Sequence, residues 1–136
     1  MFILDTNVVS EMRRLDKANP QVVAWASSTP LSQMFIATVT VMELELGILL
    51  MERKDRDQGL ILRTWFDRQV RPRFEGRVFD YTMPVALCCA SLHVPDPLND
   101  RDAIIAATAI VHGMTVVTRN TKDFRRTGAA LLNPWR

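Results

Sequence analysis

Cysteine is nearly absent: Cys88 and Cys89, side by side, are the only two. Neighbouring cysteines rarely pair with each other, so a disulfide framework is excluded, and so is a multi-cysteine zinc site. Free thiols suit a reducing compartment, and two small hydrophobes in a helix is their ordinary role. Long apolar runs are missing too: none reaches the ~18 residues a membrane helix needs. The start, Met1-Phe-Ile-Leu-Asp5, puts an acid where a signal peptide would need its apolar stretch. A soluble, cytoplasmic protein with no membrane partner is expected. An excess of either charge is also lacking. Lys and Arg number 17 against 15 Asp and Glu, a net charge of +2, which permits an anionic partner without demanding one. No repeat or low-complexity tract occurs. What remains is a globular composition, 48% hydrophobic and 24% charged, over 136 residues, which fits one domain spanning 1–136.

Short apolar runs alternate with longer helical patterns, the signature of a parallel α/β sheet covered on both faces. Strands are expected at Phe2–Asp5, Met34–Ala37, Arg77–Asp80 and Thr115–Thr118, with a short last one near Leu131–Asn133. A helix starts after Asn19-Pro20, a cap followed by proline at the first helical position. Others are expected over Thr40–Arg53, Asp57–Val70, Pro84–His93 and Asp100–His112, the last ending at a Gly113 C-cap. Pro72 is expected to break the chain into a basic loop that reaches Arg77.

Sites in parallel sheets form beyond the carboxyl ends of the strands. Asp5 ends the first strand, Glu43 lies in the first turns of the helix leaving the second, and Asp123 follows the fourth. Asp102 opens the helix that runs back into the fourth strand. All four carboxylates therefore map to one rim. At about 100° per residue, Glu43 shares a face with Val39, Leu46 and Leu50, read as the inward face, while Glu45 and Glu52 point away into solvent. Leu44, Ile48 and Met51 form a second apolar stripe, suited either to packing on the next helix or to a partner groove. Asp102 shares a face with Ile105, Ala106 and Ala109, and Asp100 is better placed as a helix cap.

Four carboxylates within ~4 Å of one another repel by roughly 4 kcal/mol per pair at an effective dielectric of ~20. Either protons or a cation must relieve this. No Lys or Arg is obviously placed inside the cluster, and oxygen-only ligands suit Mg²⁺ or Mn²⁺. Asp5, Glu43 and Asp102 are the candidate metal ligands, with Asp123 as the fourth catalytic acid. Thr6, Thr118 and Asn120 are placed to orient a water or tie down a carboxylate. Arg119, Lys122, Arg125 and Arg126 lie near enough to contact phosphates. The chemistry such a set supports is phosphoryl transfer to water.

At these residues the sequence resembles the PIN-domain ribonucleases, and more narrowly the VapC-type toxins of toxin–antitoxin pairs. The resemblance is carried by Leu4-Asp-Thr-Asn-Val-Val-Ser-Glu11, Glu43-Leu-Glu-Leu-Gly47, Asp102-Ala-Ile-Ile-Ala-Ala-Thr-Ala109 and Thr118-Arg-Asn-Thr-Lys-Asp-Phe124, in order and across nearly the whole chain. It implies a three-layer α/β/α sandwich with a central parallel sheet of four to five strands, in the order 3-2-1-4-5. It also implies Mg²⁺- or Mn²⁺-dependent endonucleolytic cleavage of RNA, with transfer RNA or another structured RNA as the target. An antitoxin protein would hold the enzyme inactive, operator DNA would be bound only through that antitoxin, and the chain would form homodimers.

Other readings fare worse on the residues. A receiver-like regulatory module needs an acidic pair before its phosphoacceptor and a lysine after a later strand; here Asp5 ends the first strand and the last motif carries Asp123. A phosphatase of the haloacid dehalogenase kind needs a second aspartate two residues after the nucleophile, where Asn7 stands. A housekeeping RNA-processing nuclease would share the same site and is separated only by the presence of an antitoxin.

Overall fold

The computed structural model describes residues 1–136. Five parallel strands form the sheet: β1 (Phe2–Leu4), β2 (Met34–Ala37), β3 (Val78–Phe79), β4 (Thr115–Val117) and β5 (Ala130–Leu132). Their order is β3-β2-β1-β4-β5, as the resemblance implies. In the central register Phe2 lies opposite both Met34 and Thr115, and Leu4 opposite Val117. The strand order reverses between β1 and β4, and the crevice beyond their carboxyl ends is the natural site in such sheets.

Side chains alternate across the sheet and create two cores. Leu4, Met34, Ile36 and Val117 face one layer, α1 (Thr6–Glu11), α2 (Pro20–Ser28), α3 (Thr38–Lys54) and the segment after α4 (Arg56–Trp65). Ile3, Ala37 and Val116 face the other, where α7 (Asp100–His112) contributes Ile105, Ala106 and Ala109. Helix α6 (Met83–Leu92) packs outside α7 through Val85 and Cys89. Ile3, Leu4, Val116 and Val117 are fully buried, each worth roughly 1.5–3 kcal/mol relative to exposure. The result is the expected three-layer α/β/α sandwich.

The helices start and stop largely where the residues dictate. Asn19 caps α2, its side chain accepting from Gln21 N at 2.9 Å, with Pro20 at the first position. Gly113 ends α7 at φ 65°, a left-handed conformation that favours glycine. The cap of α7 is Asn99, whose Oδ1 accepts from Arg101 N and Asp102 N, so Asp100 is the first helical residue and not the cap. The chain also enters a helix directly after β1, which the hydrophobic pattern did not indicate: Asp5 is the N-cap of α1.

Two expectations are corrected on the α3–α4 side. The inward face of α3 is that of Leu44 and Ile48, which are buried, while Leu46 and Leu50 are exposed. Both stripes of this helix are apolar, and the one that faces Phe66 and Val70 is the one buried in the core. The second correction concerns Pro72. Helix α4 runs into a π turn over Phe66–Val70 and stays helical through α5 (Arg71–Arg73). The π turn already interrupts the i→i−4 ladder, so the proline's missing N–H costs little there. Strand β3 shrinks to two residues. Arg77 turns inward instead, its Nε donating to the Met34 carbonyl at 3.0 Å. The last helix, α8 (Thr121–Phe124), follows β4. No helix is long and apolar enough to cross a membrane.

Candidate active site

Beyond β1 and β4 lies an open cleft of about 550 Å³ lined by Asp5, Thr6, Asn7, Ser10, Glu11, Glu43, Asp102, Arg119, Asn120 and Trp135. A second cleft, of about 520 Å³, is lined by Asp102, Asp123, Lys122, Arg125, Arg126 and the Pro97–Asn99 segment. Asp102 borders both. Three of the four sequence-selected acids thus share the first cleft, and Asp123, exposed on α8, faces Asp102 from the second.

Asp5 is the anchor. It is 6% exposed and its backbone N–H donates to the Val117 carbonyl at 2.9 Å, which fixes it at the switch point. Its carboxylate accepts from Thr6 N (2.8 Å), Thr118 Oγ1 (2.8 Å) and Asn7 Nδ2 (3.1 Å). Burial nevertheless pushes its pKa above the usual aspartate value, and the nearby Glu43 charge adds to this; the three hydrogen bonds work the other way. The Thr6 hydroxyl donates to Glu43 Oε1 at 3.0 Å, so one residue braces two acids. Thr118 is in turn held by Asn120, whose backbone N–H donates to Thr118 Oγ1 at 3.0 Å. Thr6 and Thr118 thus tie down carboxylates through their hydroxyls, whereas Asn120 contributes a backbone N–H and otherwise lines the cleft.

Asp102 is pushed up to about 6, first by burial and then by the charges of Asp5, Asp123 and Glu43. A single carboxyl that senses the other three acids is the electrostatic mark of a cluster. Arg101 was missed: its Nη1 lies 3.5 Å from Glu43 Oε2, so a cation does stand at the cluster's edge. Its position next to Asp102 gave no signal, because adjacent residues on a helix point about 100° apart.

No three of the acids close into a ready-made ligand cage. Mg²⁺ is usually held by one or two carboxylates with several retained waters. Oxygen donors spread around an open, polar cleft, with Asp5 and Asp102 both raised first by burial and then by neighbouring carboxylate charge, fit such an ion.

Of the basic candidates, Arg119 lines the first cleft and Lys122 and Arg125 the second. Arg126 also lines the second, but its guanidinium donates to the Asp96 and Pro97 carbonyls, which occupies much of its donor set. Glu45 and Glu52 are not freely solvated. Both pair with Arg63, which forks onto Glu45 at 2.7 and 2.5 Å, and this hydrogen-bonded pair holds the Glu45 carboxyl below its usual range. Both remain outside the clefts. Asn7 and Glu11 lie within the opening motif and line the first cleft, whereas nothing in the hydrophobic pattern marked Trp135 as a cleft residue.

A doubly covered parallel sheet with acids gathered past its switch point defines an α/β protein built to hold charge at one rim. The PIN domain family model matches residues 2–130, and the chain belongs to that family. The toxin FitB of Neisseria gonorrhoeae is 36% identical over 141 residues, covering 99% of each chain. The VapC ribonuclease Y4jK of Sinorhizobium fredii is 33% identical over 142 residues, covering 99% of this chain and 98% of its own length. The solved structures of FitAcB from N. gonorrhoeae and of FitAB bound to an IR36 DNA fragment both match at a TM-score of 0.90 and 35% identity. They cover 100% of this chain and 99% and 96% of those chains, respectively.

Proposed function

We propose that the chain is a metal-dependent endoribonuclease, the toxin of a toxin–antitoxin pair, that hydrolyses RNA phosphodiester bonds. The observation that carries the reading is the gathering of Asp5, Glu43 and Asp102 in one open polar cleft, with Asp123 in the adjoining cleft that Asp102 also lines. Family membership and the ribonuclease name of one relative support the activity. Asp5, Glu43 and Asp102 would hold Mg²⁺ or Mn²⁺, in part through its retained waters, and Asp123 bears on the site through Asp102. When bound, the ion lowers the pKa of a water and stabilises charge on the phosphate oxygens. The protein's own part is orientation. Thr118, Asn7 and Thr6 fix both oxygens of Asp5, Thr6 also fixes Glu43, and Arg101 balances part of the Glu43 charge. Arg119 on one side of Asp102, and Lys122, Arg125 and the remaining donors of Arg126 on the other, supply phosphate contacts along the strand.

The solved complexes of FitB's own system support an antitoxin partner for this chain, with operator DNA reached through that antitoxin. The exposed Leu46, Leu50, Leu60 and Ile61 on the paired helices α3 and α4 suit burial against a second copy. A cytoplasmic location accords with the free thiols.

The test is cleavage of total RNA by purified, partner-free protein with Mg²⁺ or Mn²⁺, with EDTA, and with Asp5→Ala alongside. Discrete fragments that require metal and vanish in the variant are expected. Cleavage that persists in EDTA or in Asp5→Ala would overturn the assignment.

A further inference from the structure

Trp135 is the single hydrophobic residue among the ten that line the acidic cleft. An indole at the edge of an otherwise polar cleft has a plain structural use, since it also packs against the core beneath α1–α3. Three further observations give it a second use. Its ring lies 5.4 Å from the Arg119 guanidinium, and Arg119 takes part in none of the chain's ion pairs. The cation is therefore held at the cleft by the aromatic face and remains free for a phosphate. The pair is also tied to the chemistry by a run of hydrogen bonds. Asn7 Nδ2 donates to Asp5 Oδ2 at 3.1 Å, and Asn7 Oδ1 accepts from Arg119 N at 3.4 Å. Asn133 Nδ2 donates to the Arg119 carbonyl at 3.5 Å, while Asn133 Oδ1 accepts from Trp135 N at 2.9 Å. The indole thus sits at a fixed offset from the anchoring carboxylate, not on a loose C-terminal tail. Finally, the second cleft, across Asp102, carries Lys122 and Arg125, so a strand laid over Asp102 has a basic residue waiting at each end.

Resting on the ribonuclease reading, we propose that Trp135 is a base-stacking platform of the active cleft, selecting an unpaired nucleotide next to the bond to be cut. Arg119 takes the adjoining phosphate. When it does so it leaves the indole face, which the base then covers, so phosphate and base binding reinforce each other. Every base has a π face, so this contact tolerates sequence. A base inside a duplex cannot reach the ring, so the cleft favours single-stranded loops and ends over helices.

The experiment uses Trp135→Phe and Trp135→Leu, both of which keep an apolar side chain on the core. Each is placed in an Asp102→Asn chain, so that the strand stays uncut. A fluorescent pool of short random-sequence single-stranded oligoribonucleotides is titrated by anisotropy. Stacking predicts that Trp135→Phe binds nearly as the parent does, while Trp135→Leu weakens binding by about tenfold, in the range found for loss of one stacked base. Equal affinity of the leucine variant and the parent would overturn the proposal. The ribonuclease reading is scored separately, by cleavage with Asp102 intact: a strand that is bound through Trp135 yet never cut would refute that reading and leave the platform standing.

Discussion

Replacing Asp102 by asparagine removes one negative charge from the cleft while keeping the side chain's shape. The folded carboxyl titrates at about 6 against 3.8 for the free group. A carboxyl whose folded pKa lies above its unfolded value binds more protons when folded, so stability falls as pH rises through that window and the full penalty is present at neutral pH. A shift of about two units corresponds to at most about 3 kcal/mol. The side chain opens onto two clefts, and solvent screening reduces this to about 1–2 kcal/mol. Asp102→Asn should therefore melt roughly 3–8 °C above the wild type in EDTA at neutral pH. The advantage should disappear as pH falls toward 3.8. Mg²⁺ should raise the Tm of the wild type and have little effect on the variant, which should no longer cleave RNA. Thermal melts across the pH range, with and without Mg²⁺, measure all of this. A variant that melts at or below the wild type in EDTA at neutral pH would refute the electrostatic account of the cleft.

Thr118→Val keeps the shape of a fully buried residue but takes a hydroxyl from the Asp5 carboxylate; a loss of about 1–3 kcal/mol in chemical denaturation is expected, with cleavage reduced in parallel. Gly59→Ala would place a Cβ 2.6 Å from Glu52 Cα, a backbone atom that cannot yield cheaply, so the α3–α4 pairing should lose about 1–3 kcal/mol, read by the same method. Glu45→Gln breaks the fork from Arg63 and should lower the Tm slightly while leaving cleavage intact, whereas Glu43→Gln should impair cleavage. Equal damage from the two would mean that α3 presents a different residue to the cleft.

Much of this arrangement is legible in the chain, because position in a parallel sheet does the sorting. Strand ends and helix starts lie on one rim, so Asp5, Glu43, Asp102 and Asp123 can be assigned to it without knowing a single distance. Hydrophobic pattern carries less. Helix α3 has leucines on both of its stripes, and only contact with Phe66 and Val70 decides that Leu44 and Ile48 go inside. Glu43 therefore reaches the cleft from the border of the buried face and not from its middle. Side-chain reach is hidden too. Arg101 and Arg63 are long enough to find carboxylates on other elements, and no periodicity reports where a guanidinium ends. The helix through Pro72 was unreadable for a related reason: the π turn that accommodates the proline has no composition of its own.

The amide of Asn7 grips an oxygen of the Asp5 carboxylate with one end and the main chain of residue 119 with the other. What is fastened at 119 is the backbone, and the same holds at 135, where the Asn133 side chain takes the peptide N–H. The Arg119 side chain makes no hydrogen bond or ion pair in this fastening and only stacks on the indole, while the indole of Trp135 also rests on the core. For an engineer, this separates two jobs that are usually entangled. The carboxylate end of the cleft can be kept untouched while position 119 is exchanged as an interchangeable tip and position 135 is varied among side chains that keep the core contact, each presented at the same distance from Asp5.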